Sequence, residues 1–299
     1  MKRVSPRLSF LLFSTCALWL AFSGPAGSEE KTSKSQGTRQ PLLVLFATPG
    51  EARFLDQHAE RVLSAGDRIP PEGRIETGNG RAVIEFPEHS TVTILENSAL
   101  GWGYLLYDKN SNTFFLNLEG APGETVCRLS GSFPGKRFLE FKTPQAVAVV
   151  RGTALLTEIG PDSTTRFSAW SSTLEVSGKA GSEKVRPGEG LEVNAEGTRF
   201  AKATLPKPPK PVAPVNEKVR LPVRLRWESV EGVKSYRVTI AADEQMNEIR
   251  FVGTVTGEDS LILSLLAPGK YFWDVQAIDQ SGFQSPPGPP TEMEIERCR

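Results

Sequence analysis

The stretch Lys142–Leu156, KTPQAVAVVRGTALL, restricts what this chain can fold into more than any other. Thr143-Pro144 reads as a turn. Ala146 to Val150 follow as an almost unbroken apolar, β-branched run, the pattern of a strand buried on both faces. Gly152 interrupts that strand, and a glycine in such a place marks a bulge or a close backbone approach. Arg151 beside it has to be paired or lie at an edge, because an unpaired guanidinium is costly to bury.

The same grammar extends over residues 42–204. Short apolar segments alternate with turn signals about every 8–12 residues, which predicts an all-β domain. Gly66-Asp67, Gly73 to Gly78, Pro87 to Ser90 and Pro187-Gly188-Glu189 are the punctuation. Arg81 to Phe86, Thr91 to Leu95, Phe114 to Leu118, Phe138 to Phe141, Thr164 to Trp170 and Leu191 to Val193 are the strands between. Glu51 to Leu63 carries a weak helical rhythm, too weak to predict a helix. With 23 prolines and 27 glycines in 299 residues, many turns and little long helix are expected, and the length suits two domains.

These motifs, in this order, resemble the FecR domain, a module of the bacterial envelope. The correspondence runs over roughly residues 45–200 through Gly66-Asp67, Thr77-Gly78, Ala82 to Phe86, Thr143-Pro144, Arg151-Gly152-Thr153 and Gly188-Glu189. The chain departs from the family pattern after the Arg-Gly-Thr, where Ser168-Ala169-Trp170-Ser171-Ser172 stands in place of a Val-x-x-Gly segment. The resemblance implies a β-rich domain, a solenoid or a roll, acting as a sensor or scaffold. The best-known relatives pass a signal from an outer-membrane receptor to a cytoplasmic sigma factor. Seven residues precede the apolar N-terminal segment here, so that transmembrane role is not expected.

The flanking segments complete the domain plan. Lys2, Arg3 and Arg7 precede an apolar run from Leu8 to Phe22 and small residues at Ser23, Gly24 and Ala26, as in a secretory signal peptide over residues 1–26. An uncleaved anchor, or lipidation at Cys16, are the alternatives. Residues 27–41 are polar and aperiodic and read as a disordered leader. Residues 205–215, LPKPPKPVAPV, read as a proline-rich linker, a polyproline strut of about 34 Å at ~3.1 Å per residue.

Residues 216–299 alternate with period two through Val223, Leu225 and Trp227, through Tyr236, Val238 and Ile240, and through Tyr271, Trp273, Val275 and Ala277. This looks like an immunoglobulin or fibronectin type III sandwich, with Trp227 as its early core tryptophan and Tyr271 as its corner tyrosine.

Lysine plus arginine equals aspartate plus glutamate, 35 each, so no global basic surface points to nucleic acid. The mean hydropathy of −0.26 excludes a multispanning membrane protein, and no stable transmembrane segment is expected once the signal is cleaved. Two histidines, His58 and His89, stand without any Cys/His or His/Glu metal spacing or an assignable triad, so the reading is non-enzymatic, without a cofactor. Asp108, Asn110, Asn112 and Glu119 mimic part of a calcium loop but lack its turn glycine, and a polar hairpin loop explains them. Cys127 and Cys298 sit in what would be an oxidising compartment, and pairing and non-pairing both remain open.

Trp102, Tyr104, Tyr107 and Trp170 are candidates for a sugar-stacking surface. Period two places Trp102 and Tyr104 on one face, with core packing as the plainer alternative. The expected function is binding, scaffolding or signalling support in the periplasm or outside the cell. The partner is an envelope protein met by strand addition or, alternatively, cell-wall glycan or peptide.

Overall fold

The computed structural model describes residues 41–297 apart from 58, 71, 87, 132 and 133. The targeting segment, nearly all of the leader, His58 and Cys298 lie outside the described residues. Every regular element among the described residues is a strand. The first sandwich begins with β1 (Leu42–Ala47), β2 (Ala52–Leu55), β3 (Glu60–Val62), β4 (Arg68–Ile69), β5 (Gly73–Thr77) and β6 (Ala82–Glu85). It continues with β7 (Thr91–Ile94), β8 (Ala99–Asp108), β9 (Thr113–Gly120), β10 (Gly123–Arg128), β11 (Lys136–Lys142) and β12 (Ala146–Gly152). It closes with β13 (Ala154–Ile159), β14 (Thr165–Ala169), β15 (Ser172–Gly178), β16 (Gly181–Val185), β17 (Glu189–Val193) and β18 (Phe200–Thr204). Glu51 to Leu63, where a faint helical rhythm runs, holds β2 and β3, which pair with each other.

Two nine-stranded sheets result: sheet I in the order β18-β17-β14-β13-β10-β7-β6-β1-β4, and sheet II in the order β16-β15-β12-β11-β9-β8-β5-β2-β3. Neither closes into a barrel. From β11 onward the chain makes a hairpin in one sheet, then crosses to the other. Within these two sheets every pairing among the described residues is antiparallel except β9 with β11, which run parallel. Phe54, Phe141 and Leu174 from sheet II meet Phe167, Leu155 and Leu191 from sheet I in one continuous core.

The Arg-Gly-Thr break is a crossing between sheets. β12 belongs to sheet II and β13 to sheet I, so residues 151–153 turn the chain from one layer to the other. Gly152 has φ +136°, and a Cβ there would lie 2.5 Å from the Cα of Ser172 and 2.8 Å from the carbonyl oxygen of Ser171. Only glycine fits both restrictions. The facing crossing, from β14 to β15, passes through Trp170-Ser171. The two are tied by Thr153 Oγ1 and Ser171 Oγ at 2.7 Å and by Ser172 Oγ donating to Ala154 O at 2.8 Å. Thr143 closes the preceding hairpin, its Oγ1 accepting from Ala146 N at 3.1 Å, while Pro144 is exposed.

β12 departs from the expected two-faced burial. Ala146, Ala148 and Val150 are buried, but Val147 and Val149 are only half-buried. Nothing among the described elements covers that side of sheet II. β13 is the strand buried on both sides: Leu155 points into the core, and Leu156 into a separate cluster with Leu95, Val126, Trp170, Leu205 and Phe283.

That cluster is the seam with the second sandwich. Its strands are β19 (Pro211–Ala213), β20 (Glu217–Val219), β21 (Val223–Trp227), β22 (Val233–Ala241), β23 (Ile249–Thr256), β24 (Ser260–Leu263), β25 (Gly269–Asp279) and β26 (Thr291–Ile295). They form sheets ordered β19-β21-β24 and β20-β26-β25-β22-β23 around Leu225, Trp227, Val238 and Trp273. Tyr271 donates its hydroxyl to Ala267 O at 2.9 Å, as a corner tyrosine should.

The proline-rich segment is not a free strut. Leu205 is buried in the seam and its N–H donates to Gly188 O at 2.9 Å. Pro211–Ala213 pairs with β21 as the edge of its sheet. An edge is where a strand can carry proline, because one side of its ladder needs no donor.

Register explains why sheet I accepts the second sandwich. Thr93, Val126, Leu156, Ser168, Gly190 and Ala203 form one row across its outer face, all small or apolar. A Cβ on Gly190 would come within 2.5 Å of the Phe283 ring, so that position must be bare for the ring to seat. The seam margin is ionic. Arg237 clasps Glu124 at 2.6 Å and Glu96 at 2.7 Å, and Arg81 meets Glu96 at 2.5 Å. Burial alone would raise Glu96, but the two guanidiniums outweigh it and hold the carboxyl below its usual range.

Candidate interaction face

With the middle of sheet I taken up by the second sandwich, the outer face of sheet II is a broad surface left to solvent, and strand register maps it row by row. In the first row Leu106 of β8 opposes Phe115 of β9, and Phe115 opposes Phe138 of β11. Continuing the β11–β12 register one step past Leu139–Val150 brings Arg151 to the same row, and Thr173 of β15 follows it. Phe115 and Phe138 stack with ring centroids 5.3 Å apart. Phe138 is 43% exposed and Leu106 39%, well above what core residues of this sandwich show.

The second row is polar. Tyr104, Asn117, Glu140, Val149 and Glu175 succeed one another across the strands. Tyr104 Oη and Asn117 Nδ2 both donate to Glu140 Oε2, each at 3.2 Å. Burial and the Glu140 carboxylate raise the Tyr104 hydroxyl above its ordinary range. In the third row Arg74, Gly101, Glu119 and Lys142 are neighbours. An open cleft of about 790 Å³ lies here, lined by Leu55, Arg74, Gly101 and Glu119 among others.

The aromatic candidates separate. A bulge between Trp102 and Tyr104 adds one residue to β8, so the two side chains leave opposite faces of the sheet instead of sharing one. Trp102 is buried and stacks on Phe54 at 6.2 Å, whereas Tyr104 is exposed. Trp170 is buried in the seam, with Nε1 donating to Gln284 O at 3.3 Å. A stacking surface needs open ring faces, and Trp102 and Trp170 have none. Tyr107 packs on Phe114 at 4.7 Å.

Of the motif residues, Thr143, Gly152 and Thr153 hold turns and the crossing, and Arg151 alone carries its side chain onto the open face. Phe115, Phe138 and Leu106 are the residues that sequence reasoning missed as surface; their pattern is that of any strand with one apolar side. Asp108 to Asn112 form the β8–β9 hairpin, with Asp108 Oδ1 accepting from Asn110 N at 3.0 Å. His89 contacts Glu85 at 2.9 Å in its turn. Cys127 is buried in the core, and burial pushes its thiol up to about 12, which removes it from thiolate chemistry.

Residues 73–175 match the family model described as FecR protein, so the first sandwich contains a FecR domain that includes the Thr143-Pro144 and Arg151-Gly152-Thr153 motifs. No curated protein matches the sequence. Similar solved structures include a candidate anti-sigma factor from Parabacteroides distasonis, at 16% identity over 44% of this chain and 59% of that one, with a TM-score of 0.36. The FN1–FN3 domains of chicken CNTN1 align at 10% identity over 87% of this chain and 100% of that one, with a TM-score of 0.26. The chain therefore spans less than two thirds of the anti-sigma factor structure.

Proposed function

We propose that this chain is a non-enzymatic binding module of the bacterial envelope, and that its FecR domain recognises a partner protein through the outer face of sheet II. The observation that carries the reading is the row Leu106–Phe115–Phe138–Arg151, an apolar and aromatic strip ending in a guanidinium on the one broad face the second sandwich leaves uncovered. Aromatic and arginine side chains supply most of the binding energy at protein interfaces. The polar second row supplies the rim. The second sandwich, fibronectin-like in its corner tyrosine, serves to cover and stiffen sheet I. The envelope location rests on the basic and apolar N-terminal pattern.

The test is a photo-crosslinking amino acid placed at Phe138 in the living cell, with adducts identified by mass spectrometry. One recurring envelope protein, lost when Leu106→Asp is added, is the expected result. Adducts bearing glycan or wall peptide would move the chain to the cell-wall class. No adduct from this position would overturn the assignment of the face.

A further inference from the structure

The seam holds one ionisable group whose surroundings leave it short of partners. Asp274 of β25 stands cross-strand from Thr239 of β22, on the face turned to sheet I, and is 6% exposed. The Thr239 side chain lies beside its carboxyl, while Oδ1 has no hydrogen-bond partner. The group borders a small, partly enclosed chamber of about 50 Å³ between the sandwiches. Arg81 and Arg128 face it from the first sandwich and Arg237 from its own sheet. Arg81 and Arg237 are already engaged by Glu96 and Glu124, so the carboxyl feels their charge without their direct bonds. Gln276 and Gln284 complete the polar wall, their amides bonded to Ser285 O and Glu124. Further along the same outer face, Glu158 and Glu192 are taken up by Arg166.

We propose that the seam is an acid-tightened latch, in which protonation of Asp274 strengthens docking of the second sandwich on sheet I and its ionisation loosens it. Parting the sandwiches would bring Trp170, Leu156 and Phe283 into water, so the proton controls access to a second apolar surface.

The direction follows from where the proton is held. Burial pushes Asp274 up to about 6, against the attraction of Arg128, Arg81 and Arg237. With the sandwiches apart, the same carboxyl faces water and titrates in the ordinary range, about 3.9. Between these values the docked form holds a proton that the parted form has lost. Docking therefore strengthens as pH falls through about 6, and the gain is complete below about 4; between pH 7 and pH 5 the docking constant rises about tenfold. Glu96 works in the opposite sense, but its carboxyl is held below its usual range and fails only under more acid conditions. The acid-tightening window is thus roughly pH 4.5 to 6.5.

The experiment uses the full chain. Hydroxyl-radical labelling of Phe283 and Trp170, normalised to exposed Phe138, is followed from pH 7 to pH 5. A roughly tenfold fall in wild type, and a low, flat profile in Asp274→Asn, are the expected results. A flat wild-type profile, or the same slope in Asp274→Asn, would overturn the latch. Should that variant fail to fold, carbon NMR of the aspartate carboxyls in wild type decides: a group titrating near 6 agrees, and none above 4.5 contradicts. Arg128→Gln, which removes one attracting charge, moves that midpoint upward.

Discussion

Gly152 shows how one missing atom fixes the course of a chain. Its positive φ would strain any other residue, and its Cβ would press on backbone atoms of the facing crossing, which cannot step aside as a side-chain tip can. Gly152→Ala is expected to cost about 3 kcal/mol in urea unfolding. Gly181 is the control: φ is +114° but nothing lies within 4 Å of its Cβ, so Gly181→Ala should cost only about 1 kcal/mol. Equal losses would mean that backbone conformation, not the crossing, explains the Arg-Gly-Thr motif. This residue was legible beforehand because a glycine inside an apolar strand has few physical causes. Trp170 was not. An aromatic residue at the departure from the family pattern can serve a ligand or a neighbouring domain equally well, and only its contact with Gln284 and Phe283 decides.

At the scale of elements, β12 and β13 teach the same lesson. Both read as apolar runs, yet one is covered on a single side and the other on both. Burial of an outer face depends on what a distant part of the chain lays over it, and no local window contains that. The β8 bulge is a local failure: one extra residue reverses the side from which every later side chain leaves, and Gly103 was its only visible sign. The difference between strands predicts a difference between substitutions. Phe138→Asp, on the open face, should cost about 1 kcal/mol or less, since it loses little more than the stack on Phe115. Leu156→Asp would bury a carboxylate in the seam, and about 3 kcal/mol is expected. Thermal unfolding of the two variants side by side checks the order, and similar losses would contradict the assignment of faces.

At the scale of the molecule, the all-β class, the second sandwich and its corner tyrosine could be read from alternation and turn chemistry. The docking could not. Five prolines in residues 205–215 suggested distance between the sandwiches, but proline also suits an edge strand, and Pro211–Ala213 takes that role. Docking divides the labour of the first sandwich: sheet I holds the second domain and sheet II meets the outside. Hydroxyl-radical footprinting of the free chain at pH 6 tests this division most directly, because it needs no knowledge of the partner. Heavy labelling of Leu106, Phe115 and Phe138, with Val126, Leu156 and Phe283 protected, is the predicted result. Labelling of the seam residues as strongly as the open row would contradict the account, since sheet I would then be as free as sheet II.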